Sequence, residues 1–223
     1  MPMNIAMDGP VGAGKSSIAD LVAKRLNIMH LDTGAMYRAV ALYMLRNGID
    51  LEDERAVADA CDGVQVDVRY EEGAQRTLLC GEDVSDKIRT PEVSTAASAV
   101  SRWPAVRRRM VAAQREIART ADMLIDGRDI GTNVLTDAPV KIFLTATAEE
   151  RARRRWLQLR ERGVDEPFEK VLAELNARDA QDMNRPTDPL RQAEDAVLVD
   201  STELTPEQTV DVIVKIVEEA YGR

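Results

Sequence analysis

The chain has 223 residues, 44% of them hydrophobic, and a formal net charge of −9. That composition suits one core with small appended lobes and excludes a disordered chain. It contains no apolar run of the ~18 to 20 residues that span a bilayer and no basic-then-apolar leader, and its acidic balance argues against a nucleic-acid partner, so a soluble cytoplasmic protein is expected. Cys61 and Cys80 stand alone beside a single histidine, His30, which indicates neither a disulfide framework nor a zinc site. Both thiols are expected in the core, and His30 is expected to pack rather than catalyse.

The chain opens on an apolar strand, Met3 to Met7, that runs into Asp8, Gly9, Pro10, Val11, Gly12, Ala13, Gly14, Lys15, Ser16 and Ser17. Gly9, Gly14, Lys15 and Ser16 fit the spacing G-x-x-x-x-G-K-[ST], in which successive backbone N–H groups curl around an anion at a helix N-terminus. Residues 9–17 are therefore candidate nucleotide-phosphate ligands, with Lys15 reaching the β- and γ-phosphates and the Ser16 hydroxyl on Mg²⁺. Ile18, Leu21, Val22 and Leu26 supply the helical stripe that this motif needs next.

Ile28 to Leu31 read as a second strand closing on Asp32, Thr33 and Gly34, followed by a helix over residues 35–47 that stops at Gly48. Tyr37 and Arg38 lie in its first turn, facing the crevice at the carboxyl ends of the strands. From Gly63 the period becomes two, with Val64, Val66, Val68 and Tyr70 alternating with polar residues. Turns at Glu71-Glu72-Gly73 and Gly81-Glu82 divide residues 63–90 into a small antiparallel insert, with strands at residues 76–80 and 84–88. Such an insert is too small to hold a core alone.

Thr90-Pro91 and Pro104 start two helices; the second carries Val106, Met110, Val111, Ile117 and Ala118 inward and displays Arg107, Arg108 and Arg109. One or two of those arginines at most are expected to be functional. Met123 to Ile125 form a strand ending in Asp126, a second candidate for holding Mg²⁺ or its water. Residues 140–144 and 196–199 complete five strands, and Thr205 with Gln208 opens the last helix through a capping box. Thr147 and Glu150 suggest another capping box, ahead of an arginine-dense helix. Arg178, Asp182 and Arg185, at spacings of four and three, share one helix face. Strands alternating with helices predict an α/β fold with a five-stranded parallel sheet covered on both faces.

A phosphate loop, a carboxylate after a core strand and arginines on separate lobes describe phosphoryl transfer between two phosphate-bearing ligands. Closure of such lobes would exclude water from the transfer.

The stretches 8–15, Asp32-Thr-Gly-Ala-Met-Tyr-Arg38, 81–85, Asp126-Gly-Arg-Asp-Ile-Gly-Thr132 and 137–143 resemble, in order, those of the bacterial cytidylate kinases. The resemblance implies transfer of the ATP γ-phosphate to CMP or dCMP. It implies a core of residues 1–31, 122–147 and 166–223, a monophosphate-binding domain of residues 32–121 and a lid of residues 148–165. It places cytosine recognition on Ser98, Arg107 and Asp129, ribose on Arg178 and Asp182 near Tyr37, and the acceptor phosphate among Arg38, Arg128 and Arg185. Thr33 stands where some relatives have serine, keeping the hydroxyl. Arg154 and Arg155 are assigned to the lid over the donor, and Lys15, Arg128, Asp129 and Arg185 to the catalytic set.

Rival readings are a small-acceptor kinase for UMP, AMP or shikimate, a GTPase-like switch, and a phosphate-loop protein acting on nucleic acid. A switch of that kind would need an N-K-x-D motif, and the chain has no Asn-Lys pair. A monomer is expected, because no heptad seam or long apolar edge is evident.

Overall fold

The computed structural model describes residues 2–222. Along the chain, β1 (Asn4–Asp8), α1 (Lys15–Leu26), β2 (Met29–Asp32), α2 (Thr33–Arg46) and α3 (Glu54–Cys61) precede a hairpin lobe of β3 (Val66–Glu71), β4 (Ala74–Leu79) and β5 (Glu82–Asp83). Then come α4 (Pro91–Val100), α5 (Pro104–Ala118), β6 (Met123–Asp126), a one-turn π-helix (Ile130–Val134) and β7 (Val140–Thr145). The chain finishes through α6 (Ala148–Glu161), α7 (Phe168–Asn184), β8 (Val197–Asp200) and α8 (Pro206–Tyr221).

Five strands form one parallel sheet in the order β2-β6-β1-β7-β8, as the alternation of apolar runs and helices predicts. The central strand β1 pairs with β6 and β7 and is buried from Ile5 to Asp8. On one face, α1 and α8 pack Ile18, Val22, Val210, Ile213, Val214 and Val217 against the sheet. On the other, α2, α4 and α5 form a second core around Met36, Val40, Met44, Val100 and Met110. The sheet is therefore covered on both faces, leaving the carboxyl ends of its strands as the open edge where a ligand can enter. Leu21, expected inward, is largely exposed; its neighbours Ile18 and Val22 carry the buried stripe.

Helix starts follow their capping residues. Asp32 accepts from the Ala35 N–H, Asp53 from Arg55 and Ala56, and Thr90 from Val93; Thr205 and Gln208 make the full reciprocal box. Thr147 accepts from the Glu150 N–H, but the Glu150 carboxylate turns to Arg153 and Arg154, so the expected second box is only half made. Asp32 starts α2 two residues earlier than predicted.

The hairpin lobe is a separate antiparallel sheet, β3-β4-β5. Its third strand is displaced from the expectation. Residues 82–83 make the ladder, whereas Val84 and Ile88 are buried from a turn. α3, absent from the sequence reading, connects α2 to this lobe. Cys61 is buried as expected, but Cys80 is exposed, at φ +49° in the turn between β4 and β5.

Candidate active site at the carboxyl ends of the strands

The loop after β1 is shaped by three glycines with positive φ. At Gly9, φ is +148° and an added Cβ would lie 2.0 Å from the Leu144 carbonyl oxygen, so no side chain fits where the loop crosses β7. Gly14, at φ +86°, caps α1 without a side chain, and the first turn of α1 contains no acidic residue. The first N–H groups of α1 are thus left for an external anion, in contrast with the side-chain caps of α2, α3, α4 and α8.

Lys15 is buried, and its ammonium donates to the Pro10 carbonyl at 2.7 Å. Burial, reinforced by the Arg128 charge, pulls its pKa down to about 7. Beside it the Ser16 hydroxyl donates to Asp126 Oδ2 at 2.9 Å. Burial acts against the Asp126 carboxylate, but His30 and Lys15 outweigh it and hold the pKa below the usual range. His30 Nε2 lies 2.8 Å from Asp126 Oδ1, and the Thr33 hydroxyl donates to the Asp126 carbonyl at 2.7 Å. His30 therefore packs, as expected, yet its partner is a site carboxylate.

At the start of α2, Arg38 donates to the N-cap carboxylate Asp32 at 2.9 Å. Arg128, in the loop after β6, donates to Asp182 of α7 at 2.8 Å. Arg178 is exposed on α7, yet partial desolvation and then the Arg128 charge draw its pKa down, with Arg155 and Arg38 adding to the repulsion. Lys15, Arg38, Arg128, Arg155 and Arg178 thus converge on one region from five segments. Positive charge gathered at one crevice is relieved by phosphate.

A second cluster lies deeper. Arg107, 1% exposed, donates to Asp129 Oδ2 through Nη2 at 2.5 Å, to Asp188 Oδ2 through Nε at 2.8 Å and to the Ser101 carbonyl at 3.4 Å. Its guanidinium sits over the Tyr37 ring, 5.7 Å from the centroid. Arg185, just past α7, donates to Asp129 Oδ1 at 3.1 Å, and the Asn133 amide donates to Asp129 Oδ2 at 3.1 Å. Arg108 and Arg109, by contrast, are exposed. Ser98 is half-buried on α4; its hydroxyl donates to the Ser94 carbonyl at 3.5 Å, and no hydrogen bond joins it to Arg107 or Asp129 among the described residues.

On the other side of the loop, α6 and the segment before α8 enclose a cleft of about 1010 Å³ lined by Ala13, Gly14, Ser17, Arg153, Arg154 and Thr202 among others. Arg154 is held there by Glu150 at 2.9 Å and by the Ser201 carbonyl at 2.6 Å. Arg155 is exposed and lies outside that lining.

Four residues that shape the site were given no role from the sequence. Asp188 anchors Arg107. Arg151 and Asp179 form a buried ion pair at 2.5 Å on the crest of the phosphate loop. Asp8 accepts the Ile130 and Gly131 N–H groups at 2.7 Å each and so anchors the π-helix that follows Asp129. The available signals were the place of Asp8 at the head of the phosphate-loop stretch and the Arg178-Asp179 adjacency on α7, which puts Asp179 one position from a predicted ligand.

A family model described as "Cytidylate kinase" matches residues 5–219. A cytidylate kinase of Caldicellulosiruptor bescii is 48% identical over 96% of this chain and 95% of its own length. One from Rhodococcus opacus is 48% identical over 98% of this chain and 96% of its own. Among solved structures, a shikimate kinase from Bacteroides thetaiotaomicron aligns over 99% of both chains with a TM-score of 0.51 at 12% identity, a likeness of fold alone.

Proposed function

The chain belongs to the cytidylate kinase family, and from that membership we propose that it transfers the γ-phosphate of ATP to CMP or dCMP, giving CDP or dCDP and ADP. The observation that carries the reading is the cation-rich crevice between two differently built ends: an uncapped phosphate loop beside a cleft, and a buried arginine–carboxylate cluster.

The donor phosphates lie in the curl of residues 9–17, against the α1 N-terminus and Lys15. Arg154 and Arg155 belong to the lid over the donor. The Ser16 hydroxyl and the Asp126 carboxylate stand side by side at the loop. Among the described residues no group of three or more carboxylates, histidines or cysteines could hold a metal by itself. Two oxygen ligands fit Mg²⁺, which keeps most of its shell as water and substrate phosphate. When bound, Mg²⁺ neutralises donor phosphate charge.

Cytosine offers a carbonyl, a ring-nitrogen acceptor and an amino donor. Arg107 and Ser98 supply donors, and Asp129 supplies the acceptor for the amino group. Uracil would turn a carbonyl toward that carboxylate, and repulsion makes it the poorer substrate. Arg178 and Asp182 hold the ribose near Tyr37, and Arg38, Arg128 and Arg185 hold the acceptor phosphate, with Thr33 beside it. An oxygen of that phosphate attacks the γ-phosphorus in line, and the bond to the β–γ bridging oxygen breaks. Lys15, Arg128 and Arg185 offset the charge spread over the transferring group.

In this reading residues 32–121 form the monophosphate-binding domain and residues 148–165 the lid. The enzyme acts as a cytoplasmic monomer without a nucleic-acid partner, and no helix among the described residues is long and apolar enough to cross a membrane. The reaction is tested by chromatography of a mixture of purified chain, Mg²⁺-ATP and CMP. CDP and ADP should appear in equal amounts and only when both substrates are present. ADP formed at the same rate without CMP would identify a nucleotide hydrolase instead.

A further inference from the structure

We propose that Arg151 and Asp179 are positioning residues of the phosphate loop: a buried ion pair that grips the Val11 peptide from both sides and turns the remaining N–H groups of the loop toward the donor. Asp179 Oδ1 accepts the Val11 N–H at 3.0 Å, and Arg151 Nη1 donates to the Val11 carbonyl at 2.8 Å. The same Nη1 donates to Asp179 Oδ2 at 2.5 Å, closing the ring of contacts, and Nε donates to the Ala146 carbonyl at 2.9 Å. Both residues are 7% exposed.

The crest is also covered sterically. An added Cβ at Gly12 would lie 3.0 Å from Leu175 Cδ1 and 3.3 Å from Arg151 Cβ, so α6 and α7 rest directly on the loop. The first part of the loop is consumed by protein contacts. Pro10 has no N–H, its carbonyl accepts from Lys15, and both backbone groups of Val11 are taken. The donors left for phosphate are those of residues 12–17.

Charge makes the arrangement more than a strut. Asp179 is a carboxylate placed at an anion site, where alone it would repel the donor. Arg151 cancels that charge while holding the loop. Burying such a pair contributes little net stability, because desolvation opposes the attraction, so fold stability is a weak reason for it to be there. The pair also fixes the root of α6, upstream of Arg154 and Arg155.

The inference rests on the loop being the donor site, and the test separates the two. Mg²⁺-ATP binding by calorimetry, steady-state KM values for ATP and CMP, and thermal unfolding would be measured for wild type, Arg151→Met, Asp179→Asn and the double variant. Arg151→Met leaves an unpaired carboxylate at the loop and should weaken ATP binding by about tenfold or more while the CMP KM moves less than about twofold. Asp179→Asn should weaken ATP binding less, and adding it to Arg151→Met should restore part of the lost affinity, since the two act as a unit. A folded Arg151→Met protein with wild-type ATP affinity, equal rises in both KM values, or a double variant no better than Arg151→Met would each overturn the proposal. Should Arg151→Met not fold, Arg151→Lys, which keeps the charge but loses the fork, should still show the ATP-selective loss. Failure of the wild-type chain to bind Mg²⁺-ATP would instead overturn the assignment of the loop.

Discussion

The Asp8 carboxylate accepts two backbone N–H groups, yet burial at the end of β1 lifts its pKa from the ordinary 3.8 to about 6. Between those values the folded chain keeps a proton that the unfolded chain has released, so this group's contribution to stability falls as pH rises from about 4 to about 6. The stability advantage of wild type over Asp8→Asn should therefore shrink by about 2 kcal/mol between pH 4.5 and pH 7 in urea unfolding. An advantage that grows with pH would mean that the carboxylate is stabilised where it sits. At Lys15 the expectation is kinetic. Lys15→Met should lower phosphoryl transfer by about 10²-fold or more, because its charge serves the transferring group, while equilibrium CMP binding stays close to wild type. A fully active variant would remove Lys15 from the mechanism. Asp129 receives three donors, from Arg107, Arg185 and Asn133. Asp129→Asn should cost CMP about 1 to 3 kcal/mol in kcat/KM and UMP less, so the CMP:UMP preference narrows; an unchanged ratio would place base reading elsewhere.

Among the elements, the hairpin lobe is fastened to the edge of the main sheet by side chains in place of a strand ladder. Gln75 of β4 accepts the Asp32 N–H at 2.7 Å and donates to the Asp32 carbonyl at 3.3 Å, and the Tyr70 hydroxyl donates to the His30 carbonyl at 3.1 Å. These bonds satisfy the outer edge of β2 just where α2 begins. Gln75→Ala should cost about 1 kcal/mol of stability and raise the KM for CMP several-fold with the KM for ATP unchanged. Matching rises in both KM values would show that the lobe supports the whole core. The lobe also marks how far the sequence could be read. The alternation from Val64 to Tyr70 announced β3, and the burial of Val93, Ala96, Ala97 and Val100 on α4 follows their spacing. α3 escaped because eight residues with only Val57 and Cys61 buried make too short a stripe. Val84 and Ile88 misled because their side chains fill the core from a turn, and apolar character reports burial rather than strand pairing. The contacts Arg107–Asp188, Arg151–Asp179 and His30–Asp126 join residues far apart in the chain, and local pattern carries no information about them.

Across the molecule, the parallel sheet brings β1, β2 and β6 to a common edge, so that Asp8, Asp32 and Asp126 end three strands side by side. The phosphate loop lies on one side of that edge and the Arg107–Asp129 cluster on the other, with arginines from α2, α7 and the β6 loop between them. The donor and acceptor assignments proposed above make one shared claim: the crevice accepts two phosphates and reads one base as cytosine. The most direct measurement is a competition in one vessel, with limiting Mg²⁺-ATP and equal concentrations of CMP, dCMP, UMP and AMP, followed by separation of the diphosphates formed. CDP and dCDP should be the products, with UDP well behind and ADP no higher than the donor alone supplies. UDP formed as fast as CDP, or ADP in excess of the phosphate transferred, would contradict that claim.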